Sequence, residues 1–253
     1  MLFSFAGSFF YTLSPTLLHV DAILSAPSGI YLLGTDRLGR DLLARLIEGG
    51  QISLVIGILS AFLSTFIGLI IGATAGYFKG KTDKTFVLLV DLFLTFPTFF
   101  LLLALVSYVN ASVWVLVFII SITGWMTTAR LVRSESYFIT AQPYIKILRI
   151  ADISKIKIFL KYYLPLLAPI FFVSFTFGVG GAILSESALS FLGLGITAPQ
   201  MSWGSIMSDG KEVIQIAWWV SFFPGLLIFL ITFSLINISN YLQHLTNQKE
   251  IRN

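Results

Sequence analysis

Residues 49–78 read GGQISLVIGILSAFLSTFIGLIIGATAGYF, a stretch without a single charged side chain. A helix needs about 20 apolar residues to cross ~30 Å of hydrocarbon, because each adds about 1.5 Å. The stretch therefore predicts one transmembrane helix, near 53–77. The rest of the chain has the same character. Of 253 residues, 57% are hydrophobic, 15% are aromatic and only 11% are charged, with 24 Phe and a mean hydropathy of +0.91. Soluble chains carry about 25% charged residues. One aqueous core cannot hide this much apolar surface, so lipid must act as part of the solvent. A water-soluble enzyme, a disordered chain and a nucleic-acid-binding module do not fit.

Charge-free windows outward from that stretch locate the other spans. Residues 85–129 hold one charge, Asp91, and are long enough for two helices broken at Asn110, Ala111 and Ser112. These are expected near 86–108 and 112–129. Uncharged runs at 162–185 and 213–248 predict helices near 163–185 and 217–241. Residues 2–13 are apolar too, but so short a run extends only about 18 Å, and Ser14-Pro15 breaks it. No basic first region or small-residue cleavage site of a signal peptide precedes Asp21. The expectation is a partial first span over 2–13, the outer half of a helix whose start is missing or unusually short. Gly68, Gly72 and Gly76 recur every fourth residue and share a helix face that lets a second helix approach closely. Gly178, Gly180 and Gly181 are candidates for the same role in the fifth span.

Loop charges orient the chain. Lys79, Lys81 and Lys84 against Asp83 leave +2. Seven Lys/Arg between 130 and 161 against Glu135 and Asp152 leave +5, and the C-terminal tail adds +1. On the other side, 14–48 carries −1 and 186–212 carries −2. The positive-inside rule puts 79–84, 130–161 and the C-terminus in the cytoplasm, and 14–48 and 186–212 outside. The net charge of +4 and the pI of 9.3 then reflect this loop bias rather than a nucleic-acid partner.

Ordinary catalytic constellations are missing. With no Cys, and with only His19 and His244, the chain has no thiolate chemistry and no His-based metal site. Phosphate loop, HExxH and GxSxG motifs are absent. Asp91 is the only ionisable side chain well inside a span, which makes it a functional-site candidate. It reads either as a proton relay or as a partnered structural carboxylate near the cytoplasmic end. In the large basic segment, Pro143 precedes a stretch, 144–161, that reads as one helix. Lys146, Arg149, Lys157 and Lys161 fall on one face, with Ile147, Leu148 and Ile158 elsewhere. Such a helix either lies on the membrane surface or docks into a groove of a cytoplasmic partner.

Five short motifs then occur in order. LGTDRLGRD at 33–41, followed by Arg45, resembles the LGTDxxGRDxxSR signature of the peptide/nickel ABC-importer permeases. Within that family it resembles the second permease subunit of dipeptide and oligopeptide importers. DLFLTFP at 91–97 resembles the family's Asp-to-Pro third span, and ARLVR at 129–133 the start of its coupling loop. ESALSFLGLG at 186–195, then Pro199 and Ser202-Trp203-Gly204, resembles the block after its fifth span. Trp218, Pro224-Gly225 and Asn237 resemble its last span. The resemblance runs in one register over about 33–240. Departures are local. Lys146-Ile147-Leu148 stand where the family carries Glu-Ala-Ala, and Asp152 stands near its Gly. Ser239 to Gln243 replace a Gly-Asp-Gly-Leu-Arg block.

The resemblance implies an all-α polytopic bundle of about six spans in the bacterial inner membrane. It implies a single permease domain over 1–253, with 130–161 as the cytoplasmic coupling segment. It also implies a subunit of an ATP-driven importer, with peptides as substrate by the branch matched; nickel and glutathione importers share the motifs. Such a chain binds no cofactor and no metal and catalyses no reaction; ATP and Mg belong to partner ATPase subunits. The implied partners are a homologous second permease, two ATP-binding cassette ATPase subunits, an external solute-binding protein and membrane lipid, without nucleic acid. Implied ATPase contacts are Tyr144, Lys146, Ile147, Leu148, Arg149 and Asp152. The outer face and binding protein would use Gly34, Thr35, Asp36, Gly39, Arg40, Asp41, Glu186, Trp203 and Gly204. Asp91 and Pro97 are the intramembrane positions of note. The alternatives are a stand-alone secondary transporter or channel, and a degenerate permease that no longer transports. The topology is tested by single-cysteine labelling on this cysteine-free chain. Lys155→Cys is expected to be silent to a membrane-impermeant reagent in intact cells and Asp209→Cys to react, and the reverse pattern overturns the orientation.

Overall fold

The computed structural model describes residues 2–151 and 153–252, with backbone alone for Leu2, Lys146, Arg149 and 246–252. The protein is all-α. Among the described residues, four helices are long and apolar enough to cross a membrane: Leu42–Phe78, Val113–Ala141, Lys155–Phe191 and Trp219–Leu245. Gly80–Leu94 with Thr98–Val106 makes a bent fifth.

Helix α1 is Leu2–Phe10. It covers about 14 Å, too short to cross. Helix α2, Leu42–Phe78, has 37 residues and starts well before the expected span at 53–77. Its start is set by Asp41, whose Oδ1 accepts the Ala44 N–H at 2.7 Å in an N-cap. Absence of charge marks hydrocarbon, not helix, so Arg45 and Glu48 are helical as well.

The span expected over 86–108 is not one straight helix. It divides into α3, Gly80–Leu94, and α4, Thr98–Val106, bent by 75°. Pro97 lacks the N–H that would continue the ladder and clashes with the preceding turn. The Thr95 hydroxyl donates to the Asp91 carbonyl at 2.8 Å, satisfying an acceptor at the break. Helix α5, Val113–Ala141, is capped by Ser112 and continues beyond the expected 112–129. It ends before Pro143, whose ring holds Gln142 in extended backbone.

The single helix expected over 144–161 is likewise divided. Helix α6 is Pro143–Ile150. A new start follows at Ser154, whose side chain accepts the Lys157 N–H and caps α7, Lys155–Lys157. A π-helical turn, Ile158–Tyr163, and a 3-10 turn, Leu164–Leu167, lead into α8, Ala168–Phe191. Pro165 supplies no N–H to the ladder, and the π turn reroutes it, with Leu164 N–H donating to the Phe159 carbonyl. Helix α9, Trp203–Lys211, begins in a capping box between Ser202 and Ser205. Helix α10 is Trp219–Arg252.

The chain forms two compact units. The first comprises Met1–Leu59, Leu103–Ile120 and Gly180–Ser234; the second comprises Ser60–Leu102, Ser121–Val179 and Leu235–Asn253. In the second, α2 and α5 meet along a glycine seam. A Cβ on Gly72 would lie 2.4 Å from the Ala129 carbonyl, and one on Gly76 would lie 2.2 Å from Ser136 Cβ. The Gly68, Gly72 and Gly76 face thus carries a real close approach. The expected second glycine face is weaker, since Gly178 meets Ala61 at 3.4 Å and Gly181 has nothing within 4 Å. Around the seam's end, Ala73, Tyr77, Val132, Ile145, Phe159 and Tyr163 form a buried cluster. We expect Gly72→Val to wedge α5 away at a cost of about 1–3 kcal/mol, read as a lower thermal midpoint in detergent. Gly181→Ala should leave that midpoint unchanged or slightly raised.

Candidate functional site

The 33–41 motif folds into a buried loop in the first unit. Asp36 is sealed from solvent. Its Oδ1 accepts the Leu38 and Arg40 N–H groups at 2.8 and 3.0 Å, and its Oδ2 accepts Arg40 Nε at 2.7 Å and Arg45 Nη1. Burial alone would push this carboxyl up. The Arg45 guanidinium and the two backbone donors outweigh it and hold Asp36 below the usual carboxylate range. Arg45 Nη2 then donates to Asp209 Oδ2 at 3.1 Å, at the end of α9. Arg37 reaches the same end, bonding Glu212 at 2.5 Å.

The neighbouring motif residues make the loop fit. Gly34 and Gly39 have φ of +80° and +74°. A side chain on Gly34 would also strike Trp219 Nε1 at 2.7 Å, and one on Gly39 the His19 carbonyl. Thr35 Oγ1 donates to the Ala22 carbonyl and accepts Ser25 N–H at 2.8 Å, while Trp219 Nε1 donates to the Thr35 carbonyl at 3.1 Å. Asp41 caps α2 and accepts the Tyr11 hydroxyl at 3.1 Å. Its burial pushes its own carboxyl up, against the pull of those donors.

Glu186, Trp203 and Gly204 also come together, around a different centre in the same unit. Glu186 on α8 is fully buried. Ser190 Oγ donates to it at 2.7 Å, Ser53 Oγ at 3.3 Å and Ser187 Oγ at 3.5 Å. Trp203 N–H donates to Ser53 Oγ at 3.1 Å, and its indole N–H to the Leu46 carbonyl at 2.9 Å. A Cβ on Gly204 would sit 2.5 Å from Ser187 Cα, so the start of α9 rests directly on α8.

The basic segment 130–161, expected to couple to a partner, belongs to the second unit. On α6, Ile145 is buried in the Tyr77–Tyr163 cluster and Leu148 packs against it. Tyr144 and Ile147 point outward, 41% and 63% exposed, and Ile150 is 84% exposed. The side chains of Lys146 and Arg149, and all of Asp152, lie outside the described residues. Asp91 on α3 is met by Arg130 on α5, Nη2 to Oδ1 at 2.5 Å, so the carboxylate is partnered rather than lone. Eight residues earlier, Asp83 binds Arg133 and accepts the Tyr137 hydroxyl at 2.7 Å. Pro97 supplies the bend and touches no carboxylate among the described contacts.

Sequence reasoning passed over Trp219 and Ser53, counted Asp209 only as a loop charge, and quoted Ser190 and Ser202 only as motif letters. Arg45 stood in the quoted signature without a role. A signal was available for one of them, because a buried acidic-basic loop demands a closing partner. The chain separation between 45 and 209 hides which acid closes it.

A polytopic helical bundle with charge-locked loops is the class defined by this geometry. Residues 64–249 match the model of the binding-protein-dependent transport system inner membrane component. The chain belongs to that family and is a multi-pass protein of the bacterial inner membrane. It is 35% identical over 205 residues to the oligopeptide transport system permease protein OppC of Haemophilus influenzae, covering 81% of this chain and 66% of that protein. The OppC protein of Mycobacterium tuberculosis H37Rv is also 35% identical, over 229 residues, 87% of this chain and 79% of its own length. The di/tripeptide transport system permease protein DppC of Pseudomonas aeruginosa is 34% identical over 217 residues, 83% of this chain and 71% of its own. Among solved structures, a chain of the inward-facing MetNI methionine ABC transporter superposes with a TM-score of 0.62 at 17% identity. The superposition covers 78% of this chain and 96% of that one, a likeness of fold.

Removing Arg45 leaves Asp36 sealed beside a single guanidinium, that of Arg40, whose side chain is 16% exposed. Arg45→Gln is expected to cost about 3–5 kcal/mol of stability at neutral pH, the range for breaking a buried pair. Asp36 titrates lower in the folded state, so its contribution is present above the unfolded carboxylate value of about 4 and fades as pH falls through the folded value. The gap in thermal midpoint between the native protein and Arg45→Gln should therefore be full at pH 7 and narrow below about pH 4. A constant gap across that range rejects the assignment.

Proposed function

We propose that this chain is a permease subunit of an ATP-driven importer that moves peptides across the bacterial inner membrane by alternating access. Its family and the peptide-transport names of its relatives support the reading. The observation that carries it is the outward face of α6. Tyr144, Ile147 and Ile150 lie exposed in a basic segment assigned to the cytoplasm, where no hydrocarbon covers them. Ile145, on the opposite face, anchors the helix to its own unit. A short helix fixed from behind, with apolar side chains in front, fits a groove on a soluble partner.

That partner is an ATPase, with two such subunits in the assembly carrying ATP and Mg; this chain has no phosphate loop to hold a nucleotide. ATP-driven closure of those subunits pushes on α6, and the spans shift between inward-open and outward-open populations. A homologous second permease completes the pathway. An external solute-binding protein meets the outer face at the exposed Arg37 and Leu38 and at the loop between α8 and α9, and delivers the peptide.

The test reconstitutes the chain with its cognate permease, ATPases and binding protein in proteoliposomes. Ile147→Asp with Ile150→Asp is expected to lower substrate-stimulated ATP hydrolysis at least tenfold, equivalent to losing ~1.4 kcal/mol of docking energy. Membrane insertion should be unaffected, and Lys155→Gln should change little. Unchanged stimulation in the double variant removes α6 from coupling. Lack of stimulation in the unaltered assembly favours the non-transporting permease.

A further inference from the structure

The face between α3 and α5 holds a groove of about 300 Å³, lined by Phe86, Val87, Val90, Asp91, Arg130 and Arg133. It lies within the second unit and its floor is apolar. Phe86 and Val90 pack on Met126 and Ala129 beneath it. Its polar end is made by two guanidinium groups one helical turn apart on α5. Arg133 is committed: it holds Asp83 through both Nε and Nη2 and stacks 5.8 Å from the Phe86 ring. Arg130 is not. Among the described residues its hydrogen bonding is one contact, Nη2 to Asp91, and its side chain is 54% exposed. A guanidinium carries five N–H donors, and Arg130, which lines the groove, uses one of them on Asp91.

Charge and depth say what fits. Arg130 and Arg133 stand at the cytoplasmic end of the α5 span by the loop-charge asymmetry. Lys79, Lys81 and Lys84 lie on and just before the first turns of α3. The surroundings are therefore cationic at the level where lipid headgroups lie, and basic pockets between transmembrane helices on that side suit anionic headgroups. An apolar floor running from a guanidinium towards hydrocarbon matches a phosphodiester followed by the first methylenes of an acyl chain. The volume stands at the low end of ligand pockets, ~300–1,000 Å³, enough for a headgroup but not for a whole lipid.

We propose that this groove is a binding site for one anionic phospholipid of the cytoplasmic leaflet, with the phosphate on Arg130 beside Arg133 and a chain along Phe86, Val87 and Val90. Asp91 is then the resident competitor: its carboxylate occupies the guanidinium when the lipid is away. The site does not depend on what the importer carries.

The test uses the complex purified in detergent and titrated with phosphatidylglycerol, with phosphatidylcholine of the same chains, or with inorganic phosphate, bound lipid being counted by native mass spectrometry. Phosphatidylglycerol should bind at least tenfold tighter than phosphatidylcholine, and free phosphate at equal concentration should not displace it. Arg130→Gln should lower phosphatidylglycerol affinity about tenfold. Val87→Trp fills the groove while leaving every residue of the two ion pairs in place, and should abolish binding while the thermal midpoint without lipid stays put. Asp91→Asn should raise affinity several-fold, an outcome that a purely structural pair does not give. Equal affinity for the two lipids overturns the proposal, as does unchanged binding in Val87→Trp. Displacement by free phosphate alone assigns the arginines to a soluble anion, and absence of lipid binding to the assembled complex assigns the groove to the second permease.

Discussion

A carboxylate cut off from water stays ionised only where fixed cations and N–H dipoles replace its hydration. Asp36 meets that condition with two guanidinium groups and two backbone donors. Much of the first unit is arranged by this requirement. Arg45 must stand on the first turns of α2, so Asp41 must cap that helix where it does. Asp209 must lie within reach of Arg45, which fixes the end of α9. The loop between must turn twice through left-handed backbone, and Gly34 and Gly39 occupy those turns. With the loop held, the Thr35 carbonyl meets the Trp219 indole at the start of α10. One buried charge thus ties three helix ends together.

Hydrocarbon sets a second constraint, because a freed backbone polar group has no water to turn to. The prolines meet it in two ways. At Pro97 the chain bends by 75°, and the Thr95 hydroxyl takes the Asp91 carbonyl. At Pro165 the chain stays one candidate span, because a π turn before it and a 3-10 turn after it pass the ladder from one register to the next. The difference follows from the neighbours. Pro165 sits beside Tyr163 and Leu167, both in a buried cluster that holds the helix on course, whereas Phe96 and Phe100 beside Pro97 are exposed.

The apolar helices were legible because charge avoidance is a property of single residues. Helix ends were not, since they depend on caps: Asp41 starts α2 in the polar loop, and Ser154 breaks the basic segment that periodicity read as continuous. The bend at Pro97 was visible as a residue and passed over as a motif letter. Loop 33–41 was recognisable, but a pattern match says only that residues recur together. That Asp36 and Arg45 form a buried pair needs the fold, as does the serine shell about Glu186, whose members come from α2, α8 and the loop before α9.

Two kinds of arginine–carboxylate pair emerge, and their surroundings separate their roles. Arg45 and Asp36 are both buried, so each is costly without the other and neither is free to exchange partners. Arg130 and Asp91 are each more than half exposed at a single contact, a geometry that contributes only about 0–1 kcal/mol. A pair that weak cannot be what holds α3 to α5; the apolar packing of Phe86 and Val90, with the bidentate Asp83–Arg133 contact, does that. Arg130 therefore keeps a cation at the groove mouth that an incoming anion can take over without unfolding anything. The same reasoning applies to α6, where buried Ile145 secures the helix and leaves Ile147 and Ile150 free to meet a partner. In both places the residues that hold the fold face inward and a neighbour on the same helix is left uncommitted, and the uncommitted ones are where binding can occur without loss of structure.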